Sequence, residues 1–228
     1  MQPVNCVAIV SGGMDSVTLL HYLVKTLSKT PAVITFDYNQ KHSVEIECAK
    51  YHTSSLNLQH LILDVKNITR DLFSSSALTN PEINVPHIDT VMGDPQPPTY
   101  VPNRNMIFLS LAAAYAETHN VNAIYYGAQI HDIYGYWDTT TEFVSAINSV
   151  MSLNRKNPIQ IEAPFVSYSK SDILKIGMSI GVNYTQTWSC YNGDRINGAC
   201  GTCPTCAERL YAFKNVGVTD PVLYRKAN

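Results

Sequence analysis

The six residues Ser11-Gly12-Gly13-Met14-Asp15-Ser16 follow a largely apolar run, Val4–Val10, and precede apolar residues at helical spacing: Val17, Leu19, Leu20, Leu23, Val24 and Leu27. A strand that must become a helix within so few residues constrains the fold more than any other feature of the chain. Paired glycines let the backbone turn sharply and approach a ligand, because no Cβ intervenes. Two serines stand beside them, and the helix that follows, expected over Ser16 to about Ser28, aims its positive end at the same place. Strand, Gly-rich turn and helix N-terminus together predict a phosphate or pyrophosphate site. The plain alternative is an ordinary Ser-Gly turn without a ligand. Walker A is excluded, since no lysine follows the glycines, and the G-x-G-x-x-G fingerprint is absent.

The rest of the chain alternates. Ala32–Tyr38, His60–Val65, Asn122–Ala128 and Ile159–Ala163 read as further strands. Helices are expected over His42–Leu56, Asn105–His119, Thr141–Leu153, Ser169–Ile180 and Cys206–Val216. Ser169 and Asp172 form a capping pair, and Gly181 stops the helix they begin. Residues 66–103, with a triple serine at 74–76 and six prolines from Pro81 to Pro102, read as one long irregular loop. Strands alternating with helices predict an α/β fold with a doubly wound parallel sheet, whose ligand lies beyond the carboxyl ends of the strands. Asp37 and Tyr38 end the second strand there, as either nucleotide contacts or ordinary turn residues.

Of six cysteines, four crowd into Cys190, Cys200, Cys203 and Cys206, spaced C-x9-C-x2-C-x2-C. Four thiolates suit a closed tetrahedral zinc site. An iron–sulfur cluster also accepts four sulfurs, and paired disulfides or a redox C-x-x-C are weaker alternatives. A net charge of −2 shows no general pull toward nucleic acid or anionic membrane. No apolar run approaches about 18 residues, and no signal-peptide pattern opens the chain. A cytoplasmic protein is expected, without membrane or direct nucleic-acid partners.

Ser-Gly-Gly-x-Asp-Ser resembles the PP-loop of the ATP pyrophosphatases. Joined to the cysteine pattern, it resembles the QueC family of 7-cyano-7-deazaguanine synthases. The likeness continues through Thr35-Phe36-Asp37-Tyr38-Asn39-Gln40-Lys41-His42 with Glu45-Ile46, Ser75–Thr79, and Tyr100-Val101-Pro102-Asn103-Arg104-Asn105. It then takes in Gly135-Tyr136 with Asp138, Glu142-Phe143, Trp188-Ser189-Cys190-Tyr191, Ala212-Phe213, Gly217 and Asp220-Pro221. Two stretches depart from the family pattern. Asn103 stands where the family has glycine, and asparagine tolerates left-handed backbone better than most residues. Trp137, Thr139 and Thr140 stand where it has proline, cysteine and arginine.

The resemblance implies a Rossmann-like fold of the adenine nucleotide alpha hydrolase type: one PP-loop domain over residues 1–228, with a four-cysteine zinc-binding segment at 186–228. It implies ATP, Mg2+ and Zn2+ as cofactors, 7-carboxy-7-deazaguanine and ammonia as small-molecule substrates, and a homodimer. Ser11, Gly12, Gly13, Met14, Asp15 and Ser16 would hold the phosphates, with Phe36, Asp37 and Tyr38 beside the nucleotide. Asp15, Ser16 and Arg104 would serve catalysis. Arg104, Asn105, Asp132, Tyr136 and Asp138 would meet the substrate, the aspartates accepting from its guanine-like N–H groups. The departures at Trp137–Thr140 leave a second reading open, a related ligase that couples a similar carboxylate to another amine, such as one on a protein.

Overall fold

The computed structural model describes residues 3–41, 44–130 and 136–225. Five strands form its sheet: β1 (Cys6–Ile9), β2 (Pro31–Asp37), β3 (His60–Asp64), β4 (Ala123–Tyr125) and β5 (Gln160–Glu162). Their spatial order is β3-β2-β1-β4-β5, and every neighbouring pair is parallel. The chain builds outward from β1 to β3, then returns to lay β4 on the other side of β1. The winding therefore reverses between β1 and β4, where such sheets open a crevice at their carboxyl ends.

Seven helices cover the faces: α1 (Met14–Lys25), α2 (Val44–Ser55), α3 (Lys66–Leu72), α4 (Arg104–Thr118), α5 (Thr141–Met151), α6 (Lys170–Ser179) and α7 (Pro204–Val216). Strand alternation sends side chains to two cores. Val7, Ile34 and Ile124 pack with Leu109 and Ala112 of α4 and with Phe143 and Ile147 of α5. Ala8, Val33 and Tyr125 pack on the opposite side with Leu20 of α1, Ala49 of α2, Leu174 of α6 and Phe213 of α7.

The doubly wound sheet is as the alternation predicts. Strand ends are shorter than expected, and α1 begins at Met14. The segment 66–103 corrects the sequence reading, because it opens with α3 and carries a 3-10 turn at Ile88–Thr90. Ser169 caps α6 as expected: its Oγ accepts from the Asp172 N–H at 3.2 Å and donates to the Asp172 carboxylate at 2.6 Å. Gly181, just beyond α6, has φ +71°. Asn103 has φ 53° and ψ 21°, the left-handed conformation for which asparagine substitutes for glycine.

Two buried polar groups organise the C-terminal part, and the second ties it to the α1–α2 layer. Arg209 of α7, 2% exposed, forms a fork with Asp220 at 2.7 and 3.0 Å and donates to Thr187 Oγ1 and the Tyr184 carbonyl. His52 Nε2 donates to the Gln186 carbonyl at 3.1 Å, which leaves His52 Nδ1 to accept from His21 Nε2 at 2.9 Å. His21 Nδ1 then has no partner among the described residues.

Burial is the main cause that lowers both imidazoles, each to about 4, with Lys25 adding to it. Unfolding returns them to their ordinary value near 6.5, so the unfolded chain binds more protons below that pH. Stability is expected to be full above about pH 6.5 and to fall as pH drops toward 4. Urea unfolding midpoints at neutral and mildly acid pH check this. His21→Leu should shrink the difference, and equal midpoints in the wild type would contradict it.

Candidate functional site

The turn after β1 is built by its own side chains. Ser16 Oγ accepts from the N–H groups of Ser11 (3.2 Å) and Gly12 (3.3 Å) and donates to the Gly13 carbonyl (3.2 Å). Ser11 Oγ accepts from the Gly13 N–H at 3.2 Å and lies 3.1 Å from Ser16 Oγ. Gly13 is the N-cap of α1 and no side chain caps that helix. Its first-turn N–H groups thus face the cleft, which suits an anion.

Around this turn lies a cleft at the β1/β4 reversal. Ser11, Gly13, Met14, Asp15 and Ser16 line it, with Tyr38 from the end of β2 and Arg104, Asn105 and Phe108 from α4. Tyr126–Gln129 after β4 form the far side. Glu45 of α2, Lys170 of α6, and Trp188, Ser189, Tyr191, Thr205 and Glu208 of the cysteine-bearing segment complete it.

Asp15 is the electrostatic centre. Its Oδ2 accepts from Gln129 Nε2 at 3.3 Å and lies 3.5 Å from Lys170 Nζ, which pairs with Glu208 at 2.6 Å. Burial works against the Lys170 charge, but Asp15 and Glu208 outweigh it and hold the ammonium above its ordinary range. Two oxygens, Asp15 Oδ1 and Gln129 Oε1, are buried and unpartnered among the described residues. Orphaned hard acceptors beside an uncapped helix N-terminus fit a cation that accompanies a polyphosphate, so the donor set suits Mg2+.

The expected site residues separate into groups. The PP-loop, Tyr38, Arg104 and Asn105 come together at the cleft, and Arg104 Nη1 donates to Tyr38 Oη at 3.4 Å. Phe36 lies in the core, stacked on Phe108 with centroids 4.1 Å apart. Asp37 pairs with Lys66 at 3.0 Å and does not line the cleft. Asp138 is 4% exposed; burial raises its carboxyl, while Arg104 and the Asn105 N–H and side chain pull it back. Tyr136 stacks on Tyr100, whose hydroxyl accepts from Trp137 Nε1 at 2.9 Å. Thr139 of that loop reaches the cleft. Asp132 lies outside the described residues. Sequence reasoning missed Lys170, Glu208 and Gln129 altogether. The Ser169 cap was a usable signal for Lys170, since it starts a helix right after a strand's carboxyl end.

The four cysteines converge. Their Sγ atoms all lie within 4.8 Å of one another, and none is in a disulfide. Cys190 Sγ accepts from the N–H groups of Asn192 (3.3 Å) and Cys200 (3.2 Å), and Cys200 Sγ accepts from the Cys203 N–H (3.3 Å). Backbone donors aimed at sulfur favour thiolate, and four soft donors in this arrangement can hold a metal ion with no open position. The same segment forms the cleft wall. Trp188 N–H donates to the Gly12 carbonyl at 3.1 Å, and Thr205 Oγ1 donates to the Ser189 carbonyl at 2.6 Å.

Cys203→Ser is expected to lose bound metal, lower the melting temperature and weaken ATP-analogue binding together. Metal analysis, thermal melting and calorimetry read the three. A metal-free variant with wild-type stability and nucleotide affinity would refute the coupling.

The family described as "Queuosine biosynthesis protein QueC" matches residues 5–217. The 7-cyano-7-deazaguanine synthase of Caldicellulosiruptor bescii is 44% identical over 223 residues, covering 96% of this chain and 97% of that protein. The synthase of Alteromonas mediterranea is 44% identical over 224 residues (96% and 98%), and that of Clostridium kluyveri 41% over 227 (97% and 98%). The chain belongs to the QueC family, a family of queuosine biosynthesis enzymes.

Proposed function

We propose that this enzyme uses ATP and ammonia to convert 7-carboxy-7-deazaguanine to 7-cyano-7-deazaguanine. The observation that carries the reading is the uncapped α1 N-terminus with Asp15 and Lys170, set at the β1/β4 reversal of a chain so close to named synthases.

A carboxylate oxygen of the base attacks the α-phosphorus of ATP, and pyrophosphate leaves into the Ser11–Ser16 turn. Its charge meets the α1 N–H groups and Lys170, whose ammonium exchanges the Asp15 and Glu208 oxygens for phosphate oxygens. Arg104 supplies a fixed cation for the substrate carboxylate or the α-phosphate. Ammonia then adds to the acyl carbon, AMP departs with the C–O bond pair, and a proton is lost to give the amide. A second ATP activates the amide oxygen, and loss of AMP and a proton leaves the nitrile. Asp15 Oδ1 and Gln129 Oε1 would hold Mg2+, which supplies charge neutralisation at the phosphates.

The four thiolates favour zinc over harder metals, and a closed site makes its role structural. No helix among the described residues is long and apolar enough to cross a membrane. The reading includes a cytoplasmic homodimer, as the family resemblance implies.

Incubation with ATP, Mg2+, ammonia and the carboxy-deazaguanine should yield the nitrile base by mass spectrometry, with two AMP and two pyrophosphate per nitrile. AMP without nitrile would overturn it and favour coupling to another amine, the outcome suggested by Thr139 and Thr140 in the altered loop. Asp15→Ala should abolish AMP formation with cysteine-bound metal unchanged. Lys170→Met should lower the rate of pyrophosphate release roughly 100-fold or more, the scale of losing one transition-state donor.

A further inference from the structure

Three carboxylates line the cleft, and two of them already have donors. Lys170 lies between Asp15 and Glu208, and Gln129 adds a hydrogen bond to Asp15. Glu45 differs. Among the described residues its carboxylate receives no hydrogen bond and no ion pair, and only the more distant charge of Arg104 favours its ionised form. Burial, the larger influence, lifts it to about 7. Half-buried on the cleft wall with no partner among the described residues, this carboxyl group is open to a ligand.

Its place is fixed. The Glu45 backbone carbonyl occupies the space that a Cβ on Gly12 would need, so the first turn of α2 packs directly against the phosphate turn. The charged and polar neighbours of Glu45 include Tyr38, Arg104 and Tyr191, which share the same wall. Tyrosine rings offer faces for a flat heterocycle. Arg104 offers donors only. Glu45 is therefore the carboxyl group of this wall that no described side chain claims. Of the two aspartates expected from the sequence to meet the base, Asp132 lies outside the described residues, and Asp138 is engaged by Asn105 and does not line the cleft.

We infer that Glu45 determines base specificity, its two oxygens accepting from the ring N1–H and the 2-amino group of a guanine-type substrate. Both groups are donors on adjacent atoms, which matches the two oxygens of one carboxylate. An adenine-type ring presents an unprotonated N1 there, whose lone pair repels the carboxylate. The pocket thus separates the base from the adenine of ATP by charge as well as shape. The inference rests on the functional reading above, which supplies the guanine-type ring.

Binding without turnover tests it. Calorimetry with a non-hydrolysable ATP analogue present compares 7-carboxy-7-deazaguanine with its 2-deamino analogue, on wild type and on Glu45→Gln. Loss of hydrogen bonds to a charged acceptor should weaken the base by on the order of 100-fold in the variant. The 2-deamino analogue should lose a comparable part of this on wild type. The two losses should overlap rather than multiply, and affinity for the ATP analogue should stay within about twofold. Multiplying losses, or a loss that falls on the ATP analogue instead, would overturn the role of Glu45 while leaving the reaction intact. A wild type that binds the ATP analogue but neither base would overturn the functional reading and this inference with it. The 2-deamino comparison is made on wild type, so it stands even if the variant folds poorly.

Discussion

The molecule turns on one crowded peptide. Gly12 holds φ +103°, and a Cβ there would overlap the Glu45 carbonyl and crowd the Ala49 N–H. Its own carbonyl accepts from Trp188. The phosphate turn, the N-terminal turn of α2 and the start of the cysteine-bearing segment therefore meet within van der Waals reach of a single residue that carries no side chain. The glycine that the sequence offers as a ligand-approach residue is equally a packing residue. It lets helix α2 sit against the turn, and so brings Glu45 into the same cleft as Asp15.

The charges of the cleft follow from that crowding. Asp15, Glu45 and Glu208 face Lys170 and Arg104 across a small, part-buried space. Lys170 is held by two of the carboxylates, a compact ion cluster that keeps buried charges paired. In the proposed reaction a nucleotide triphosphate would compete for that lysine and leave the two carboxylates in need of new partners. The unpartnered oxygens of Asp15 and Gln129 show where a cation has hard ligands on offer. The proposed reaction would thus bring phosphate and cation to this cluster together.

What was legible in the sequence was local. The Ser11–Ser16 turn declares itself because strand, glycines and helix are consecutive, and the cysteine cluster because three of its ligands lie within seven residues. Helix α3 was invisible for a physical reason: its apolar residues Ile68 and Leu72 are exposed, while Thr69 is buried, so no apolar stripe marks it. Lys170, Glu208 and Gln129 belong to three separate segments, and only the parallel crossovers bring them to Asp15. Asp37 misled because a carboxylate at a strand's end is placed for a ligand, yet Lys66, the first residue of the unseen helix, claims it. Asp138, expected from the sequence to meet the base, is held by Asn105 away from the cleft lining, a tertiary contact that no local pattern announces.

The cleft draws on residues from Ile9 to Glu208, and its last wall is the one braced by the cysteines and by Arg209. A ribosome adding about 5–20 residues per second exposes the phosphate turn roughly 10–40 seconds before that wall emerges. Until then the turn is a helix end open to water, with neither Lys170 nor Glu208 beside it. A nascent or interrupted chain therefore lacks the enclosed cleft. The order of synthesis itself leaves the cleft incomplete until the translated chain has reached the segment that closes it.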